Sequence, residues 1–260
     1  MKSKIVLTKR TLIFLVSVLC VLIIGAGVLT FAYAPKAKGV KYIAHRGFSE
    51  NDSLKNTESA FVQAGSMSYY GIETDIRITL DGEIVCSHDS EVEFADGTIL
   101  DIANSTLAEL TEKKLKDADS YLCTFRRYLQ ICKKFQKNAI IELKSTFNAT
   151  QIGKVFFIID TVYSRNNVSF ISFDLSNLQN CRALEPQVDC HYLVKTADQI
   201  QVAIDNEMNI GIYWKLLNRK IVKSLHSRGL TVNVWTVNNR FVRTYCDTLK
   251  VDYITSDKFS

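Results

Sequence analysis

Proline is nearly missing from this chain, with only Pro35 and Pro186 among 260 residues. There is no low-complexity stretch either, so nothing marks an internal linker after residue 40 and one folded unit is expected. The cysteines form no C-x-x-C pair and no Cys/His pair at zinc spacing, which removes a structural zinc site. A Gly-rich phosphate loop is missing, which counts against an open dinucleotide-binding sheet. Histidines number only four, yet His45 and His88 both fall close to Arg46, Glu73 and Asp75. The scarce imidazoles are concentrated beside carboxylates.

Acidic residues are absent from the first 34 positions, where Lys2, Lys4, Lys9 and Arg10 precede an uncharged run from Thr11 to Ala34. Such a run can cross a hydrocarbon core of roughly 30 Å as a helix, and the cations before it stay cytoplasmic. This predicts residues 1–10 as a cytoplasmic N-terminus, 11–34 as a transmembrane signal-anchor, 35–40 as a linker and 41–260 as an outward-facing domain. A cleaved signal peptide is the alternative, because Ala32-Tyr33-Ala34 resembles a cleavage site. The run exceeds the ~7–15 residues of a typical signal h-region, which favours the anchor. Both readings export the domain. Setting aside the leader's four cations lowers the formal charge from +5 to +1, no basis for nucleic-acid binding. Cys20 lies in the apolar run; Cys86, Cys123, Cys132, Cys181, Cys190 and Cys246 are expected mostly as buried thiols, with room for one disulfide.

From residue 41 the chain alternates short β-rich runs with longer amphipathic stretches. The runs lie at 41–44, 71–78, 84–87, 138–143, 168–173, 190–194, 209–214, 231–237 and 251–255. Helical patterns lie at 57–69, 105–115, 123–137, 149–164, 174–184, 197–207, 216–228 and 239–249. This alternation predicts parallel strands joined by crossovers. Between 78 and 84 there is no room for a helix, and Asp81-Gly82 is a two-residue hairpin signal, so 84–87 returns antiparallel. The other eight runs fit a (β/α)8 TIM barrel with a short antiparallel insertion after the second strand.

The hairpin carries a geometric expectation. With Asp81-Gly82 as its loop, Leu80 pairs with Glu83 and His88 lies opposite Asp75. Glu73 and Asp75 are two apart on one strand and share its face, as do Glu142 and Lys144 further on. Glu73, Asp75 and Glu142 offer hard oxygen ligands suited to Ca²⁺ or Mg²⁺. Arg46 and Lys144 supply cations for a phosphodiester, Arg46 with a bidentate fork. Taken singly, a Glu-x-Asp is more often a solvated face and Asp-Gly only a turn. Their order and strand context raise the weight of the set.

Together these residues resemble the glycerophosphodiester phosphodiesterase family. Its opening signature is similar to Ala44-His45-Arg46-Gly47, Asn56-Thr57 with Ala60-Phe61, Glu73-x-Asp75, Asp81-Gly82 and Val85-x-x-His88-Asp89. Its later signatures are similar to Glu142-x-Lys144, Ser172-Phe173-Asp174, Trp235-Thr236-Val237-Asn238 and the run from Val251 to Asp257. The resemblance implies a TIM barrel, a divalent cation at Glu73, Asp75 and Glu142, and His45 and His88 as the acid/base pair. It implies Arg46 and Lys144 on the phosphate, with Trp235 lining the pocket; a barrel-core aromatic is the plainer reading of Trp235. It implies hydrolysis of glycerophosphodiesters to sn-glycerol 3-phosphate and an alcohol. A phospholipase D-like esterase and a non-catalytic membrane-anchored scaffold are the rivals. Two departures stand out. Leu54-Lys55 occupies the family's usual Pro-Glu, and Ser256 between Thr255 and Asp257 predicts a displaced Asp257.

Overall fold

Runs rich in Ile, Val and Tyr become strands, and each described α-helix from residue 54 onward is preceded by a Thr, Asn or Asp at its N-cap. The computed structural model describes residues 39–48 and 54–258, together with Ser17 and Val18. Apart from those two, the expected segments 1–10 and 11–34 lie outside the described residues; among these, no helix is long and apolar enough to cross a membrane.

In chain order the strands are β1 (Lys41–Ala44), β2 (Gly71–Ile78), β3 (Ile84–Cys86), β4 (Glu91–Glu93), β5 (Ile99–Asp101) and β6 (Asn138–Leu143). They continue as β7 (Val168–Ser172), β8 (Asp189–Val194), β9 (Asn209–Tyr213), β10 (Val232–Trp235) and β11 (Tyr253–Ser256). The helices are α1 (Glu58–Ser66), α2 (Leu107–Thr111), α3 (Phe125–Phe135), α4 (Ala149–Val162), α5 (Leu175–Leu184), α6 (Ala197–Asp205), α7 (Arg219–His226) and α8 (Arg240–Leu249). Side-chain caps at Thr57, Thr124, Asn148, Asp174, Asn218 and Asn239 accept backbone N–H groups that each first turn leaves unpaired.

β1, β2, β6, β7, β8, β9, β10 and β11 pair in parallel, and β1 joins both β11 and β2, so the sheet closes as an eight-stranded TIM barrel. Ile43, Ile140, Ile171 and Leu193 fill its interior, while a larger apolar layer packs between strands and helices. Gly71 begins β2 where no side chain fits, since a Cβ there would stand 2.3 Å from Ile140 Cδ1 and 2.8 Å from Asn138 O. β2 pairs with β1 only at Gly71 and Ile72, so its last residues rise past β1 and are free to take β3.

The hairpin register differs from expectation by one residue. Ile76 faces Cys86, Arg77 faces Val85 and Ile78 faces Ile84. Gly82 N donates to Thr79 O and Thr79 N to Glu83 O, so the loop is three residues, Leu80-Asp81-Gly82, with Gly82 left-handed at φ 75°. Ser87, not His88, therefore stands opposite Asp75, its N–H bonding to Asp75 O at 3.0 Å. His88 still reaches the barrel mouth, because β3 ends at Cys86 and the chain bends. The Arg77 guanidinium holds that bend by donating to His88 O at 2.7 Å.

The insertion is also larger than a bare hairpin. β4 and β5 pair around the Asp96-Gly97 turn, and Val85, Val92, Phe94, Ile102, Leu110 and Leu122 form a satellite core beneath them. Cys86, Cys123, Cys132, Cys181, Cys190 and Cys246 are all free and buried, so the one allowed disulfide does not form among them.

Candidate active site

The site is assembled at the carboxyl ends of the barrel strands, beginning where β1 stops. Arg46 and Gly47 both take positive φ, 57° and 82°, which turns the chain sharply over the barrel mouth. Gly47 is required twice over. Its conformation disfavours a side chain, and a Cβ would stand 2.7 Å from the Ala60 carbonyl carbon. Gly47→Ala is expected to cost at least about 1–2 kcal/mol from the left-handed backbone alone, read as a lower urea midpoint, and to reduce activity by shifting its two neighbours.

The turn aims Arg46 N–H at Glu73 Oε2, 2.7 Å away, and brings Arg46 Nε within 3.0 Å of Asp75 Oδ2. Glu73 and Asp75 share a face of β2, as expected, and the parallel register sets Glu142 of β6 beside Asp75. Oxygens of all three buried carboxylates lie within 4.8 Å of one another. Lys144 Nζ reaches Glu142 Oε1 at 3.0 Å and Asp75 Oδ1 at 3.5 Å.

Crowding three carboxyls out of water has a cost that their titration records. Burial, and then the Asp75 and Glu142 charges, push the Glu73 carboxyl well above its usual range. Burial and Asp75 raise Glu142 to about 7. Burial also works against ionised Asp75, but the Arg46 and Lys144 cations overcome it and hold that carboxyl low. Glu73 Oε1 and Asp75 Oδ1 are buried without hydrogen-bond partners. Two such oxygens, on carboxyls that cluster with that of Glu142, fit an oxygen-seeking divalent cation.

Asn56 organises the cluster from beneath. Its Nδ2 donates to Asp75 Oδ2 at 2.8 Å, and its Oδ1 accepts from Thr74 Oγ1 at 2.9 Å. The motif comparison included Asn56, but nothing in the sequence assigned it this role.

His45 and His88 both line the pocket with Glu73, Glu142, Arg46 and Lys144. Asp257 reaches the site with Ser256 spacing it from Thr255. It follows β11, the neighbour of β1, and its Oδ1 meets His45 Nδ1 at 2.7 Å. The same oxygen takes Lys55 Nζ at 3.0 Å, while Asn238 Nδ2 donates to Oδ2 at 2.5 Å. The lysine at the family's glutamate position thus has a carboxylate to answer it. His88 Nδ1 meets Asp89 Oδ1 at 2.8 Å, and burial together with Arg46 lowers the His88 pKa, favouring the neutral ring.

The opposite wall is apolar and aromatic. Trp235 packs edge-on against Phe173, with centroids 5.5 Å apart, and both line the pocket beside Ile171, Leu193 and Lys195. Trp235 therefore combines the two roles weighed for it. Lys195 escaped the sequence reading, although the signal that marked Glu142 and Lys144, a polar residue at the carboxyl end of an apolar strand, applies to it equally.

Proteins of the same build are known. The Bacillus subtilis protein YhdW, provisionally named a glycerophosphodiester phosphodiesterase, is 28% identical over 232 residues, covering 83% of this chain and 93% of its own. A solved glycerophosphodiester phosphodiesterase from Parabacteroides distasonis shares the fold with a TM-score of 0.74 at 24% identity, over 86% of this chain and 94% of that one. An Oleispira antarctica phosphodiesterase, solved with its product sn-glycerol-3-phosphate, gives 0.75 at 20% identity, over 87% and 95%. The glycerophosphoryl diester phosphodiesterase family is matched across residues 45–260, which contain every site residue named above, and the chain belongs to that family.

Proposed function

We propose that this chain hydrolyses glycerophosphodiesters to sn-glycerol 3-phosphate and an alcohol, using His45 and His88 as its acid/base pair. The observation that carries this reading is the convergence of two imidazoles, Arg46, Lys144 and the buried carboxyls of Glu73 and Glu142 on one pocket, with Asp75 clustered against those two carboxyls. A divalent cation, Ca²⁺ or Mg²⁺, held by Glu73, Asp75 and Glu142 would supply electrophilic stabilisation of the phosphoryl oxygens.

The remaining chemistry belongs to the side chains. Arg46 and Lys144 orient the phosphate and offset charge that builds on it. Asp257 engages His45 Nδ1, so Nε2 is the nitrogen left to exchange a proton with substrate. Asp89 does the same for His88. One ring takes a proton from water or from the glycerol 2-hydroxyl, and the other gives one to the departing alcohol. Attack by the 2-hydroxyl passes through a cyclic phosphate, which phosphorus NMR during turnover detects. The acid-free leader supports an exported domain tethered through residues 11–34.

The test is release of sn-glycerol 3-phosphate by the purified full chain from glycerophosphocholine, glycerophosphoethanolamine and glycerophosphoglycerol. Each is tried with Ca²⁺, with Mg²⁺ and with a chelator. Metal-dependent release is expected. A folded, cation-binding protein that releases nothing overturns the reading in favour of the scaffold. Turnover confined to lysophospholipids favours the phospholipase D-like esterase.

A further inference from the structure

Three cationic side chains line the pocket, Arg46, Lys144 and Lys195, and they are not equivalent. Arg46 and Lys144 are paired with Asp75 and Glu142. Lys195 forms no ion pair among the described residues. Its ammonium rests instead over two aromatic faces, 4.3 Å from the Phe173 centroid and 5.8 Å from that of Trp235. Its backbone is anchored as well, the Lys195 main-chain N–H donating to Gln199 Oε1 at 2.8 Å.

Its place in the barrel is informative. Lys195 directly follows β8, which lies four strands from β1 in either direction round the ring, so Lys195 stands across the mouth from His45 and Arg46. The intervening wall is Ile171, Leu193, Phe173 and Trp235, which suits the carbon chain of a substrate arm. Charge balance points the same way. With a divalent cation at the three carboxylates and a singly charged phosphodiester beside Arg46 and Lys144, the reacting end is neutral. Lys195 is the surplus cation. Because it already covers the two ring faces, it also bars a quaternary ammonium from them by like charge.

We infer that Lys195, seated on Phe173 and Trp235, is a second anion-binding subsite, which takes a further phosphate carried one glycerol unit away from the scissile one. The inference rests on the phosphodiesterase reading and narrows its substrate class to diesters whose glycerol arm bears a second phosphate. Two sources share that chemistry: a polymer of glycerol phosphate units, and a small diester ending in a phosphate monoester.

Binding is tested by calorimetry on the full chain with Mg²⁺, comparing glycerol 1,3-bisphosphate with glycerol 3-phosphate. The bisphosphate is expected to bind on the order of tenfold tighter, as one added charged hydrogen bond allows. Lys195→Met should bring the two affinities within about twofold, and Lys195→Arg should retain the difference. Equal affinities in the native chain overturn the subsite, as does a difference that survives in a folded Lys195→Met variant. Hydrolysis assays then separate the sources. Preference for a glycerol phosphate oligomer supports the subsite and assigns the polymer, whereas preference for the phosphate-ended diester supports it and assigns the small substrate. A chain that cleaves glycerophosphocholine but does not discriminate the two phosphates loses the subsite alone. One that discriminates them yet cleaves no diester keeps the subsite and loses the proposed reaction.

Discussion

His45→Ala is expected to lower kcat by roughly 10²–10⁴, the contribution of a positioned acid or base, with a melting temperature close to that of the native chain. His45 follows the last residue of β1 and faces the pocket, so its truncation opens no cavity in the barrel core. Wild-type turnover in the folded variant would sink its role. The same measurement on the residues behind His45 is more discriminating. Asp257 Oδ1 is shared by His45 Nδ1 and Lys55 Nζ, so the carboxylate serves a ring and an ammonium together. Asp257→Asn should cost roughly 10²-fold in kcat with a smaller change in KM, because the amide no longer stabilises a protonated ring. Lys55→Glu, which restores the family's usual residue, should be harmful in this chain. It sets a second carboxylate against Asp257 and pulls the latter from His45. Lys55→Arg should retain activity. An active Lys55→Glu variant would mean that Lys55 and Asp257 do not act through one another.

Divalent cations are expected to raise the melting temperature, and to do so more strongly as pH rises. Without a bound cation the folded state favours protonated Glu73 and Glu142, whose carboxyls burial and mutual repulsion raise, Glu142 to about 7 from 4.5. A carboxyl raised in the folded state contributes stability below its unfolded value and loses it as pH climbs through the folded value. In chelator the protein should therefore weaken from about pH 5 to pH 8. Ca²⁺ or Mg²⁺ replaces the protons that are lost. At a concentration about one hundred times the dissociation constant the gain is about 2.7 kcal/mol, or about 5–10 °C for a domain of this size. Differential scanning calorimetry across pH, with and without cation, reads it directly. Glu73→Gln should abolish the cation-induced shift along with activity, since it removes a ligand charge but keeps an acceptor for Arg46 N–H. A cation shift that persists undiminished in this variant would place the ion elsewhere.

Much of this molecule could be read along the chain, for identifiable reasons. β-Rich runs alternating with amphipathic stretches specify a parallel α/β fold because each signal is local, and β2, β6 and the later strands fall within a residue or two of the expected bounds. Glu73 with Asp75, and Glu142 with Lys144, were legible as face-sharing pairs because side chains alternate along a strand. The hairpin register was not, since it depends on whether Gly82 takes a left-handed conformation, and one extra loop residue moves every partner. His88 reaches the pocket through a bend held by Arg77 and not by strand alternation.

The contacts that complete the site were invisible for a different reason. His45 and Asp257 are 212 residues apart and meet only because β11 closes the barrel against β1. Lys55 looks like a misplaced charge until that closure supplies its counterion. Lys195 is one exposed lysine among many until the ring of strands sets it opposite His45 and the Phe173 and Trp235 rings hold its ammonium over the pocket. By itself the sequence determined the order of the barrel elements, the barrel and the carboxylate-bearing strand faces, because these follow from local periodicity and chain connectivity. Only the tertiary structure decided which side chains share an oxygen or a pocket, because those distances arise when the first and last strands of the barrel pair.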